Sequence, residues 1–139
     1  MSGYEILEHT ADIGLRAHGT RVEDLFEQAT RGLCDIAGIW QPDRSGACEL
    51  IDITVEARDR EGLLVDWLSE VLYVHDARNA ALSSVQLSEV GDERAVGRIL
   101  IEPLGVEAET AIQIKAVTYH QLAVRKSSSG WSATVFFDI

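Results

Sequence analysis

Three short stretches of this 139-residue sequence carry side chains whose types and spacing could do chemistry. The first is His9-Thr10-Ala11-Asp12. An acid in a tight loop beside a histidine can ligate a metal or move a proton. Its plain structural alternative is an Asx-type turn at Asp12, with His9 bonded to backbone. The second stretch is the ending, Phe136-Phe137-Asp138-Ile139. Chains usually end in a frayed polar tail, whereas this sequence runs out on an apolar strand. The Asp138 carboxylate and the carboxylate or carbonyl of Ile139 are therefore expected to lie close together, held against the body of the protein. Like-charged oxygens in one place repel unless donors or a cation neutralise them. A hard divalent ion does so with oxygen ligands at roughly 2.0–2.6 Å. The alternative is an acid exposed at a strand end. The third stretch is Lys115-Ala116-Val117-Thr118-Tyr119-His120. Strand alternation puts Lys115, Val117 and Tyr119 on one face and Ala116, Thr118 and His120 on the other. His120 could then be a base, a ligand or a hydrogen-bonded filler.

Among motifs with a readable mechanism, GxGxxG, the Walker loop, GxSxG and HExxH are all missing. Cys34 and Cys48 match no CxxC or zinc spacing. Both are expected reduced, with Cys34 packed as a small hydrophobe on a helix. Trp40, Trp67 and Trp131 read as core or edge residues, because no basic residues interleave with them to make a base-stacking platform.

The elements that must position these groups follow from hydrophobic period and turn chemistry. Tyr4–Glu8 and Ile13–His18 read as strands, the second with Ile13, Leu15 and Ala17 on one face. Thr20 through Glu23 fits a capping box, followed by a helical stripe of Val22, Leu25, Phe26, Ala29, Leu33, Ile36 and Ala37 that Gly38 stops. Leu50–Ala57 alternates as a strand. Asp59 caps a second helix, whose wide apolar face runs from Leu63 to Leu72 and which ends near Asn79. Strands are expected around Leu82–Val90, Ala95–Ile101, Ile112–Val117, Gln121–Lys126 and Trp131–Phe137, the last two joined by a Ser-Ser-Ser-Gly hairpin connection. Two early helices and a strand-rich second half predict one α+β domain over residues 1–139. The expected form is a two-layer sandwich with both helices packed on one face of a largely antiparallel sheet.

Composition limits what such a domain can do. Twelve Lys and Arg against 23 Asp and Glu leave a formal net charge of −11. Phosphate backbones and anionic membranes are bound by neutralising them with cations, so tight direct binding to nucleic acid or to a membrane is not expected. A basic protein partner, a cation or simple solubility, the commonest reason for such a charge, suits the sign better. No apolar run approaches a membrane span, and the first residues lack the basic and apolar regions of a secretory signal. The expected setting is the cytoplasm.

Together these pieces resemble the archease family. The resemblance rests on Glu8-His9-Thr10-Ala11-Asp12-Ile13-Gly14-Leu15 and Leu25-Phe26 with Ala29 and Gly32-Leu33. It continues through the helix Leu63 to Tyr73, the block Ile114 to His120, and the ending Val135 to Ile139, and so runs from about residue 4 to 139. It implies a small acidic protein, not itself an enzyme, that assists an RtcB-type RNA ligase in tRNA splicing and RNA repair. Such proteins promote guanylylation of the ligase's active-site histidine and multiple turnover. The resemblance also implies a divalent metal, Ca²⁺, Mg²⁺ or Mn²⁺, on Asp12, Asp138 and Ile139, with His9, Lys115 and His120 as further functional candidates near that tip. Two other classes remain open on the residues alone. One is a metal-dependent hydrolase or nuclease using His9, Asp12, His120 and Asp138; the other is a chaperone-like interaction module.

Overall fold

The computed structural model describes residues 2–8, 12–42, 47–104 and 112–139. The elements in chain order are β1 (Gly3–Glu8), β2 (Asp12–Gly19), α1 (Val22–Ala37), β3 (Glu49–Glu56), α2 (Arg60–Arg78), β4 (Ala80–Val90), β5 (Arg94–Pro103), β6 (Ala116–Ser127) and β7 (Gly130–Asp138).

All strand pairings between these elements are antiparallel, as the short connections allow. The α+β expectation stands, but its single sheet is corrected to two. One has four strands in the order β1-β2-β7-β6, the other three in the order β3-β5-β4. Both helices contact strands of both sheets: α1 packs on β1, β2, β7 and β4, while α2 packs on β6, β3, β4 and β5. The helices are therefore shared between the two sheets. This fits the wide apolar arc of α2, on which Val65 and Val74 are buried together with the Leu63–Leu72 face.

The core is continuous. Leu25, Phe26 and Leu33 of α1, Leu63, Leu64, Trp67 and Leu68 of α2, Leu15 and Phe137 of the first sheet and Ile99 of the second are all fully buried. One polar bridge crosses it. The Trp67 indole N–H donates to Thr30 Oγ1 at 2.9 Å, and that hydroxyl donates to the Phe26 carbonyl at 2.7 Å. A buried indole N–H needs such an acceptor.

Local signals mostly set the element ends. Asp59 Oδ1 accepts from the Gly62 N–H at 2.8 Å and starts α2, and α2 ends at Asn79 in the left-handed region. Gly38 ends α1 with φ 71°. The start of α1 differs from expectation: Arg21, not Thr20, is the N-cap residue, and Asp24, not Glu23, accepts its backbone N–H at 3.0 Å. Both cysteines are free, Cys34 buried and Cys48 exposed. Among the described residues no helix is long and apolar enough to cross a membrane.

Candidate functional site

The middle of the four-stranded sheet joins the two extremes of the sequence. In the β2–β7 ladder Asp12 is the direct partner of Asp138, followed by Ile13 with Phe137 and Gly14 with Phe136. On the other side of β7, Ala116 is the partner of Asp138, and the Lys115 N–H donates to the Asp138 carbonyl at 2.8 Å. The strand hydrogen bonds thus place Asp12 and Asp138 opposite each other at one end of the sheet. Directly opposed side chains in an antiparallel pair have Cβ atoms about 4.5–5.5 Å apart. Ile139 follows at once, half-buried and packed against the core.

Two residues along each strand, on the same sheet face, the Phe136 ring lies over Gly14. A Cβ on Gly14 would meet that ring at 2.7 Å and the Leu7 Cβ at 3.1 Å. Gly14 is thus required for Phe136 to lie flat behind the acid pair, and Phe136 is only 6% exposed although it faces away from the helices. Its second cover is His120, whose ring meets the Phe136 ring edge-on with centroids 5.7 Å apart.

The position of His120 departs from simple alternation. Residues Ile112–Val117 and Gln121–Lys126 were expected as two strands; instead β6 runs through from Ala116 to Ser127 with an irregularity inside it. Thr118 pairs with Phe136 and Ala123 with Thr134, so Tyr119 to Leu122 all oppose Val135 alone. Gln121 takes φ 51° to make the bulge. The Thr118 hydroxyl ties down its base, donating to the Phe136 carbonyl at 3.0 Å and accepting from the His120 N–H at 3.2 Å. Bulges of this kind re-aim side chains beside functional sites. This one sets His120 against Phe136, two residue pairs along from the acids, and leaves Tyr119 65% exposed. Tyr119 drew no functional weight in the sequence, where the alternating pattern hid the bulge.

The structure therefore brings together Asp12, Asp138 and Ile139, adds the backbone of Lys115 with its exposed side chain, and sets His120 next along the sheet. His9 lies outside the described residues. Among the described residues no three His, Cys, Asp or Glu side chains gather in a metal-ligating group. The candidate set is two carboxylates plus the backbone oxygens of Ile139, an all-oxygen set suited to a hard cation rather than to zinc.

The comparisons with known proteins agree in extent with this layout. The family model described as Archease protein family (MTH1598/TM1083) matches residues 4–139. The protein archease of Methanosarcina mazei is 37% identical over 143 residues, covering 98% of this chain and 95% of that one. That of Pyrococcus furiosus is 33% identical over 145 residues, with both chains fully covered. The solution structure of protein 1598 from Methanobacterium thermoautotrophicum superposes with a TM-score of 0.77 at 28% identity, covering 99% of each chain. A Thermotoga maritima crystal structure, described as an archease and possible chaperone, shares the fold with a TM-score of 0.64 at 23% identity, covering 97% of this chain and 96% of that one. With a family match that runs from residue 4 through the residues before β2 to Ile139, this chain belongs to the archease family.

Proposed function

We propose that this chain is a non-enzymatic protein cofactor of an RtcB-type RNA ligase in tRNA splicing and RNA repair. It would promote guanylylation of the ligase's active-site histidine and sustain multiple turnover. The observation that carries the reading is the direct pairing of Asp12 with Asp138 beside Ile139. Two carboxylates in opposed register are an unfavourable arrangement by themselves, and an oxygen-lined cation site gives it a purpose. Asp12, Asp138 and the Ile139 oxygens would hold Ca²⁺, Mg²⁺ or Mn²⁺. When bound, such an ion supplies positive charge that offsets the negative charge of a nucleotide triphosphate.

The rest of the chain has a positioning role. The Phe136 ring over Gly14, backed by His120, supplies an apolar support beside the acid pair. Lys115, just before β6, and Tyr119, within it, are exposed and offer a cationic and an aromatic contact to the ligase. The net charge of −11 favours docking against a basic, RNA-binding surface, because opposite potentials steer association.

The test is a ligase guanylylation assay with and without this protein, across divalent ions. The reading requires acceleration by the parent protein and no RNA turnover by it alone. Asp12→Ala and Asp138→Ala, each shown folded by circular dichroism, should lose at least the roughly tenfold that even a change behind a metal ligand brings. Full activation by both variants would refute the role of the acid pair, and unaided RNA cleavage would favour the hydrolase class.

A further inference from the structure

At the end of the four-stranded sheet remote from Asp12 and Asp138, the face turned away from the helices carries a second arrangement of side chains. Along one line across three strands stand His18, Ser132 and Arg125, since Ser132 is the register partner of His18 on β2 and of Arg125 on β6. Adjacent strands are about 4.8 Å apart, so the small serine lies between the His18 imidazole and the long Arg125 side chain, roughly one strand-width away on each side. The next line toward the acids holds Arg16, Thr134 and Ala123. Ala123 is small and half-buried, which leaves space beside Arg125. His18 and Arg125 are exposed, and neither makes an ion pair among the described residues. Arg16 has a long contact to Glu5, 3.4 Å, with both side chains mostly in solvent.

This face is hollow. A depression of about 240 Å³ is lined by Arg16, His18, Arg125, Ser132 and Thr134. It adjoins one of about 540 Å³, and the two share His18 and Ser132. The larger hollow is bordered by Gly3, Glu5, Ser127, Ser129 and the edge of Trp131. Its hairpin wall is fixed. The Ser127 and Ser129 hydroxyls lie 3.0 Å apart, and Gly130 at φ 128° sits so close to Gly19 that a Cβ would meet the Gly19 carbonyl at 2.6 Å. Trp131, on the opposite face of β7, is held between Arg60 and Lys126, with the cations 4.9 and 5.6 Å from its ring.

We propose that this joined hollow binds a small phosphorylated sugar. The phosphate would rest on Ser132 between His18 and Arg125, with Arg16 and Thr134 completing its surroundings; guanidinium groups and hydroxyls are its natural donors. The sugar hydroxyls would lie in the larger hollow against Ser127, Ser129 and the Glu5 carboxylate, which accepts hydrogen bonds from them. The volume is that of an ordinary small-ligand site, roughly 300–1,000 Å³. Charge favours a single phosphate over a nucleic-acid strand: one phosphate can be matched by Arg16 and Arg125, whereas a strand's further phosphates would extend beyond them over a body of net charge −11. The site is independent of the ligase reading, because it lies at the other end of the sheet and its test involves no ligase.

An amide-resolved NMR titration of the full chain, with ribose phosphate, ribose, inorganic phosphate and a short single-stranded RNA, tests this directly. Ribose phosphate should move the His18, Arg125 and Ser132 resonances, and ribose should not. Arg125→Glu should weaken that binding by about tenfold or more, the cost of losing a charge-assisted contact. Ser132→Phe, which fills the hollow from a surface position, should do the same while Asp12 and Asp138 resonances stay in place. Absence of shifts, shifts confined to other surfaces, or unchanged affinity in both variants would overturn the site. So would inorganic phosphate or RNA binding as tightly as ribose phosphate.

Discussion

Asp12 and Asp138 face each other as direct partners in the ladder between β2 and β7, although 126 positions of sequence separate them. Like charges directly opposed across a strand pair cost roughly 0.2–1 kcal/mol. Asp138→Asn should therefore raise the stability of the metal-free protein by that order. It should also abolish stabilisation by Ca²⁺, which any ion bound only to the folded state must produce. Thermal melts of parent and variant with and without Ca²⁺ measure both effects. An equal Ca²⁺-induced rise in the two proteins would remove Asp138 from the ligand set.

The bridge between Thr30 and Trp67 makes a second prediction. Thr30→Val keeps the shape of the side chain but leaves the Trp67 N–H buried and without its acceptor, at 2.9 Å in the parent. An orphaned buried donor costs about 1–3 kcal/mol. Trp67→Phe removes the donor itself but opens space against Gly97, whose position lies close under the indole. Urea unfolding followed by circular dichroism should therefore show a lower midpoint for Thr30→Val at unchanged slope. A midpoint equal to the parent's would mean that the bridge adds nothing to stability.

What could be read from the sequence was local. Gly38, Asp59 and Asn79 mark helix ends through backbone geometry and side-chain capping that depend on neighbours only. The separation of the strands into two sheets was hidden, because pairing is decided by partners far apart: β2 takes β7 beside it, and β5 inserts between β3 and β4. One trace was present, since the apolar arc of α2, from Leu63 round through Leu72 to Val65, is too wide for a helix covered on one side alone. The Tyr119–Leu122 bulge left no trace, because a strand-like alternation continues through residues that in fact oppose Val135 alone. The convergence of Asp12 with Asp138 was expected only through the family resemblance; the apolar ending by itself placed Asp138 beside Ile139 and no more. The His18, Ser132 and Arg125 line needed the register of three strands before it could be seen.

The two cysteines should behave as opposites. Cys34 is fully buried in α1, where burial and then the neighbouring Asp35 charge push its thiol well above its ordinary value. Cys48 is exposed, its thiol 3.8 Å from the Glu102 carboxylate. Thiolate, not thiol, is the nucleophile. Iodoacetamide at neutral pH should label Cys48 in the native protein and reach Cys34 only on unfolding, as peptide mass mapping would reveal. Labelling of both at similar native rates would contradict the packing of α1 against β2.

Tyr4 ties β1 to α1, its hydroxyl donating to Asp35 Oδ2 at 2.6 Å. Burial, then the hydrogen bond and charge of Asp35, raise its pKa from 10.0 to about 12. The folded state therefore holds the phenolic proton more tightly than the unfolded chain does. The resulting stabilisation is fully present below pH 10.0 and is lost as pH rises toward about 12. Tyr4→Phe removes both the proton and the hydrogen bond, so it should be less stable than the parent at neutral pH. The gap should then close through the alkaline window, because only the parent has this contribution to lose. Urea midpoints of the two proteins across that window decide the matter: parallel decline would show that the contact between Tyr4 and Asp35 does not hold the phenolic proton, and that β1 is kept on α1 by apolar packing alone.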